Sequence, residues 1–263
     1  MNILVGCDPE VFVKKDGLFH SAFGLIKGDK KNPQPVKHGA VQVDGMALEF
    51  NIDPASNSDE FILNVEEVYS TLRAMVPGYE VVATPVAHFT PEYMKAQPAA
   101  ALELGCDPDF NGWTYQANPR PQGDRPFRTA AGHVHIGWTE GEDVHDFSHF
   151  QKCCHVAKQM DFFLGLPSLF YDHDKQRREL YGRAGACRVK SYGAEYRTLS
   201  NEWLNSRERM KWVFDAVQIG MERLIEGDCL YEKHGDIQNI INSSDWSAAE
   251  AILHKENIEI PHV

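Results

Sequence analysis

The stretch Tyr181–Asn201, YGRAGACRVKSYGAEYRTLSN, holds Arg183, Arg188, Glu195 and Arg197, punctuated by Gly182, Gly185 and Gly193. Its second half alternates. Read as a strand, Glu195 and Arg197 share one face while Ala194, Tyr196 and Thr198 share the other. A carboxylate is a hard oxygen ligand for Mg²⁺, and a guanidinium is a planar fork that matches phosphate oxygens. Together on one face they suit a site that holds a metal and a phosphate. The plainer alternative is a wet strand face with an ion pair.

The same i, i+2 spacing of polar residues recurs in Asp8 and Glu10 of VGCDPEVFV, Glu49 and Asn51 of MALEFNI, and His133 and His135 of AGHVHIGW. Around the last two pairs the intervening and flanking residues are apolar: Leu48 and Phe50, then Val134 and Ile136. One sheet with its apolar side on helices collects all four pairs on its other side. Asp8, Glu10, Glu49, His133, His135, Glu195 and Arg197 are then expected together. Carboxylates that close repel one another unless cations bind among them.

The elements that must position these residues can be read in order. A strand is expected over 3–13, a turn at Lys15-Asp16-Gly17, and a returning arm over Leu18–Phe23. Lys27–His38 reads as a loop whose lysines, Lys27, Lys30, Lys31 and Lys37, are placed to reach a phosphate; Lys37 is the cofactor-binding candidate. Asp44-Gly45 between Val41–Val43 and Met46–Ile52 signals a two-residue hairpin. Helices are expected from Ser56 or Ser58 to Val76, over Asp143–Leu164, Asp172–Leu180 and Ser206–Glu226, and from a Ser244 cap to Lys255. Residues 105–130 are irregular and carry Asp107, Asp109, Asn111, Trp113, Arg120, Arg125 and Arg128, the profile of a substrate loop. With helices following hairpins, the expected class is α+β: a curved antiparallel sheet with helices on its convex face. No P-loop and no G-x-G-x-x-G after a strand is present.

Composition narrows the class of partner. A net charge of −12, from 26 basic and 38 acidic residues, disfavours a non-specific grip on nucleic acid. The opening MNILVGCDPE has no basic region or long apolar run of a signal peptide, and no apolar stretch spans a bilayer. The six cysteines form no C-x-x-C pair and read as free thiols of a reducing compartment. The expectation is a cytoplasmic, single-domain protein over residues 1–263 that binds neither membrane nor nucleic acid.

GCDPE, VDGMALEFNIDP, GHVHIG, YGRAGACR and YGAEYRTLSN, in that order, resemble the glutamine synthetase/glutamate–cysteine ligase superfamily, and most closely the phage-type carboxylate–amine (COOH–NH2) ligases among the amidoligases. The resemblance implies a glutamine synthetase-like catalytic domain. It also implies ATP with two or more Mg²⁺ (or Mn²⁺), and amide formation between a carboxylate and an amine through an acyl phosphate. By match to the motifs, Asp8, Glu10, Glu49, one or both of His133 and His135, and Glu195 are the implied metal ligands. Arg183 and Arg188 are implied for the phosphoryl group, and Arg197 for ATP. The implied substrates are a small-molecule or peptide carboxylate and an amine, and a homo-oligomer is compatible with the pattern. Two features depart from glutamine synthetases: the first acidic pair is Asp-Pro-Glu rather than two glutamates, and no separate N-terminal domain is recognised. The competing reading is a metal-dependent hydrolase or oxygenase with a His/His/carboxylate site, which leaves the arginines unused. A binding protein that has lost the chemistry is the third.

Overall fold

The Asp8-Pro9 step divides the first expected strand, and that division organises the sheets. In the computed structural model, which describes residues 2–102, 109–119 and 125–261, the strands are β1 (Leu4–Cys7), β2 (Glu10–Lys15), β3 (Leu18–His20), β4 (Gln34–Val36), β5 (Gly39–Asp44), β6 (Ala47–Ile52), β7 (Glu80–Val82), β8 (Val86–His88), β9 (Phe110–Asn111), β10 (Gln116–Ala117), β11 (Phe127–Thr129), β12 (Val134–Gly137), β13 (Ala186–Lys190) and β14 (Gly193–Tyr196). One sheet runs β1-β12-β14-β13-β9-β10, a second runs β3-β2-β6-β5-β4 with β7 also on β2, and β8 and β11 form a ribbon. Every named strand pair is antiparallel.

The two large sheets meet along the β1–β2 line. Val5 pairs with Ile136 of β12 and also bridges to Ala55, just beyond β6, by two backbone bonds of 2.9 Å. Past the break, the Glu10 amide still donates to the Ala131 carbonyl at 2.8 Å, and the Phe50 amide to the Pro9 carbonyl at 3.2 Å. The structure is therefore α+β and antiparallel, as expected, but the strands expected in one curved sheet are divided between two large sheets and a ribbon, because the chain breaks at Asp8-Pro9.

Alternation then fixes the faces. Val5, Cys7, Val11, Val13, Leu48, Phe50, Val134, Ile136, Cys187 and Tyr196 share one core with residues of the long helices Ser58–Met75, Phe147–Met160 and Arg207–Ile225. The opposite face carries the polar pairs. Three helix starts lie beside the expected residues. Asn57, not a serine, caps the first helix by accepting from the Glu60 amide, while the serine beside it donates to Glu60. Asp146, not Asp143, caps the second. Asp245 caps the last, because Ser244 takes a left-handed turn at φ 57°. The 105–130 stretch contains short strands, β9, β10 and β11; Cys106, Asp107 and Arg120 lie outside the described residues.

The Phe147–Met160 helix continues into a wider turn over Asp161–Gly165. Asp161 is fully buried there and accepts from Trp113 Nε1 (2.6 Å) and the Tyr196 hydroxyl (2.7 Å), so Trp113 is a packing residue with a polar tether. Burial pushes the Asp161 carboxyl up to about 6. An aspartate that holds its proton in the folded state to pH 6, and releases it near pH 4 when unfolded, loses stability as pH rises through that window. The expected outcome is that wild type loses stability relative to Asp161→Asn between pH 4 and 7, by on the order of 2–3 kcal/mol. Urea unfolding of both proteins across that range measures it, and parallel curves would refute the assignment.

Candidate active site

The antiparallel register builds the site row by row. His135 on β12 lies opposite Glu195 on β14, which lies opposite Arg188 on β13. Gly6 of β1 completes the row, so Asp8, two residues on, falls on the same face beside both histidines. Gly193 starts β14 at φ 150°, and a Cβ there would stand 2.1 Å from the Ile136 carbonyl oxygen. Only glycine permits β14 to approach β12 in this register.

Asp8 Oδ1 is 3.2 Å from His133 Nδ1 and 3.1 Å from His135 Nε2, and His133 Nδ1 is 3.4 Å from Glu195 Oε1. Burial alone would raise the Asp8 carboxyl, but the two histidines outweigh it and hold it well below the usual carboxylate range. Glu195 is 0% exposed. Burial and Asp8 push it toward protonation, yet Arg197 and the histidines win and keep it ionised. Its other cationic partners are Arg188 Nη1 at 3.3 Å and Lys190 Nζ at 2.8 Å. Lys190, two residues from Arg188 on β13 and so on the same face, is therefore part of the site. Arg197 is clamped by Asp109 (3.1 Å), the Tyr181 hydroxyl (2.8 Å) and His133 Nδ1 (3.3 Å).

A second acidic group lies on the β2–β6–β5 rows. Glu10 and Glu49 face each other directly across the strands, and Asp44 joins them. Burial, then repulsion from Asp44, raises Glu10 to about 7, although the Ala131 amide donates to it at 2.9 Å. Burial, then Asp8, Asp44 and Glu10, push Glu49 well up. Lys30 Nζ lies 2.8 Å from Asp44. Asp44 escapes a sequence reading because Asp-Gly is a turn signal; its place two residues beyond Gln42, which lies opposite Glu49, is the feature that reveals it. Asn201 is more than a turn residue: it is fully buried and its Nδ2 holds the Glu10 carbonyl at 2.7 Å. Buried His149 likewise holds the Lys190 carbonyl, at 2.7 Å.

The structure thus brings Asp8, Glu10, Glu49, His133, His135, Arg188, Glu195 and Arg197 to one face. It does not bring Arg183 or Lys37 there. Arg183 is exposed and donates to the Glu179 carbonyl at 3.0 Å, because left-handed turns at Gly182 (φ 70°) and Gly185 (φ 73°) carry it outward. Lys37, 72% exposed, pairs at 2.7 Å with Glu67 on the helix side of the sheet.

The donor set fits hard divalent cations. Ligand atoms of Asp8, His135 and Glu195 lie within 4.8 Å of one another, as do those of Glu10, Asp44 and Glu49. Asp8 Oδ1 and His135 Nε2 are buried, face each other, and form no hydrogen bond of proper geometry. His135 Nδ1 is meanwhile engaged by the Tyr192 hydroxyl at 2.5 Å, which fixes the ring and leaves Nε2 turned toward Asp8, as a ligating nitrogen would need to be. His133 offers Nδ1 to the same acids but is crowded by Arg197, and burial and that arginine lower it to about 4.

Residues 118–241 match the family described as phage phiEco32-like COOH–NH2 ligase, type 2; no curated protein matches the chain. The matched span holds β11 to β14, and with them the row of His135, Glu195 and Arg188. The matched segment, just under half of the chain, is similar to carboxylate–amine ligases, enzymes that form C–N bonds. Within that class the similarity is to the phage phiEco32-like type.

With Glu49 raised, the unfolded chain ionises it near pH 4.5, whereas the folded chain keeps its proton to higher pH. Stability is lost as pH rises above that point. In EDTA, Glu49→Gln is expected to melt several degrees above wild type at pH 8 and level with it at pH 4. Thermal melts at both pH values check this, and a variant less stable at pH 8 would show that the carboxylates do not repel.

Proposed function

We propose that the protein is an ATP- and Mg²⁺-dependent ligase that joins a carboxylate to an amine through an acyl phosphate, on a single catalytic domain of glutamine synthetase-like fold. The observation that carries this is the meeting, across the seam of the two sheets, of two acidic groups with Arg188, Lys190 and Arg197. The competing hydrolase or oxygenase reading accounts for the histidines and carboxylates but gives those three cations no task.

Asp8, His135 and Glu195 would hold one Mg²⁺, and Glu10, Asp44 and Glu49 a second. Bound there, the ions supply charge neutralisation to a triphosphate and a carboxylate that otherwise repel. In the first step a carboxylate oxygen of the substrate attacks the γ-phosphorus, and the bond to ADP breaks. In the second the amine nitrogen attacks the acyl carbon, the carbon–oxygen bond to phosphate breaks, and the nitrogen loses its proton. Arg188 and Lys190, already aimed across Glu195, are the donors for the phosphoryl oxygens and the developing oxyanion. Arg197, held from three sides, keeps Glu195 ionised and oriented. The substrates are a small-molecule or peptide carboxylate and an amine. We place the reaction in the cytoplasm, a reading supported by free thiols at Cys7, Cys153, Cys154, Cys187 and Cys229. No helix among the described residues is long and apolar enough to cross a membrane.

The test is ADP release with pooled carboxylates and amines, followed by mass spectrometry of the product. Arg188→Lys is expected to bind MgATP normally and to lose roughly 10²–10³-fold in kcat, because lysine keeps the charge without the fork. Glu195→Gln is expected to lose MgATP binding by calorimetry while remaining folded. Wild-type kcat in Arg188→Lys, or wild-type MgATP affinity in Glu195→Gln, would overturn the assignment.

A further inference from the structure

Four arginines are buried among the described residues: Arg128, Arg177, Arg178 and Arg197. Three have acidic company. Arg197 pairs with Glu195 and Asp109, Arg178 with Asp172, and Arg177 feels Asp172 and Glu10. Arg128 has none among the described residues, although it is only 7% exposed. A buried guanidinium without a counter-charge is costly, so its retention in this place calls for an occupant.

Its geometry says which kind. Nη1 is spent on two backbone carbonyls, those of Arg125 (3.0 Å) and Phe127 (2.9 Å). Those two bonds fix the plane of the group. Nε and Nη2 are buried and have no partner. That edge presents two N–H groups side by side, the arrangement that receives both oxygens of a carboxylate.

Its placement says where. Arg128 on β11 lies opposite Ala87 on β8. Ala87 and Ala130 belong to a small apolar cluster with Phe12, Met46, Ala47 and Phe89. Phe12 stands two residues from Glu10 on β2, and Ala47 two residues from Glu49 on β6, so this cluster sits on the polar face of the sheet, next to the second acidic group. The chain leaving β11 reaches, at Ala131, the amide that binds Glu10.

We propose that the Nε–Nη2 edge of Arg128 is a carboxylate-binding fork, set off from Glu10 and Glu49 by the apolar cluster of Phe12, Met46, Ala47 and Ala87, where it takes a carboxylate of the substrate other than the one that reacts. That the bound carboxylate belongs to a substrate rests on the ligase reading; that the fork takes a carboxylate does not. A substrate with two carboxylates would be anchored by one at Arg128 and activated at the other.

Thermal unfolding of wild type, Arg128→Gln and Arg128→Lys, at constant ionic strength in sodium chloride, phosphate or malonate, tests the fork with defined probes. Malonate is expected to raise the wild-type Tm above its value in chloride by about 2 °C or more, and above phosphate, as a ligand of the folded state alone must. Both variants are expected to lose that increment, the lysine because it keeps the charge but not the fork. If Arg128→Gln does not fold, Arg128→Lys carries the comparison. No malonate increment in wild type, or an increment retained in a folded variant, overturns the proposal, and phosphate equalling malonate overturns the carboxylate assignment. Calorimetry with MgATP on the same proteins separates the two readings. A wild type that ignores MgATP but keeps its malonate increment sinks the ligase and leaves the fork standing.

Discussion

A carboxylate cannot remain ionised with no exposed surface unless cations surround it, and Glu195 is such a carboxylate. Arg188 and Lys190 approach it from the next strand, and Arg197 approaches from two residues along its own strand. Three cations around one anion leave an excess that spreads outward. Arg197 takes Asp109 as well, and Asp8 settles between the two histidines. Each of these contacts depends on the β12–β14–β13 register. A slip of one residue would send Glu195 into the apolar core and bring Tyr196 out in its place. The tether from the Tyr196 hydroxyl to Asp161, on the far side of the sheet, holds the register from below. The wide turn in the long helix therefore serves the site without touching it.

The face is electrically lopsided. Around Glu195 the positive groups are in excess, whereas in the group of Glu10, Asp44 and Glu49 Lys30 pairs with Asp44 and Glu10 feels Arg177 and Arg197 only as weaker influences than burial and Asp44. Asp8 sits at the seam, where the chain passes from one sheet to the other, and it is felt by Glu49 on one side and by the histidines on the other. A donor of phosphoryl groups and its acceptor are both anionic, so a face that is basic at one end and demands cations at the other can hold them close together. On the proposed reading, the repulsion stored among Glu10, Asp44 and Glu49 is what selects for divalent ions, because the cations already nearby leave Glu10 and Glu49 pushed toward protonation.

Alternation made most of this legible. Two-residue spacing assigns a face, and the face is what Asp8, Glu10, Glu49, His135 and Glu195 have in common. What spacing does not carry is which strand lies next to which. Lys190 is missed because its partner, Glu195, lies across the hairpin turn at Ser191 and Tyr192, and spacing along one strand does not show what the next strand brings beside it. Asp44 hid inside a turn signal that was itself correct. Arg183 kept the expected spacing to Arg188, yet a left-handed glycine on either side swings it into solvent. The buried arginine at that corner is Arg177, whose guanidinium packs where a side chain at Gly182 would otherwise stand, 2.0 Å from its Nη1. Arg177 and its neighbour Arg178 are both buried, but only Arg177 turns to this corner, where it donates to the carbonyls of Arg197 and Thr198, about twenty residues on.

The two histidines show how a shared spacing can end in different roles. His135 stacks on Tyr192 with rings 17° apart and gives Nδ1 to its hydroxyl, so Nε2 alone points at Asp8. Asp8 and Glu195 raise its affinity for a proton despite burial. A cation in that corner has to take the same lone pair, so proton and metal compete for one nitrogen, and the surviving ring proton must then lie on Nδ1 and be donated to the Tyr192 oxygen. His133 stays neutral, held down by burial and Arg197, and its Nδ1 is shared among Asp8, Glu195 and Arg197. It therefore acts as a spacer that keeps one acid and one base at fixed distances, while His135 keeps Nε2 turned toward Asp8.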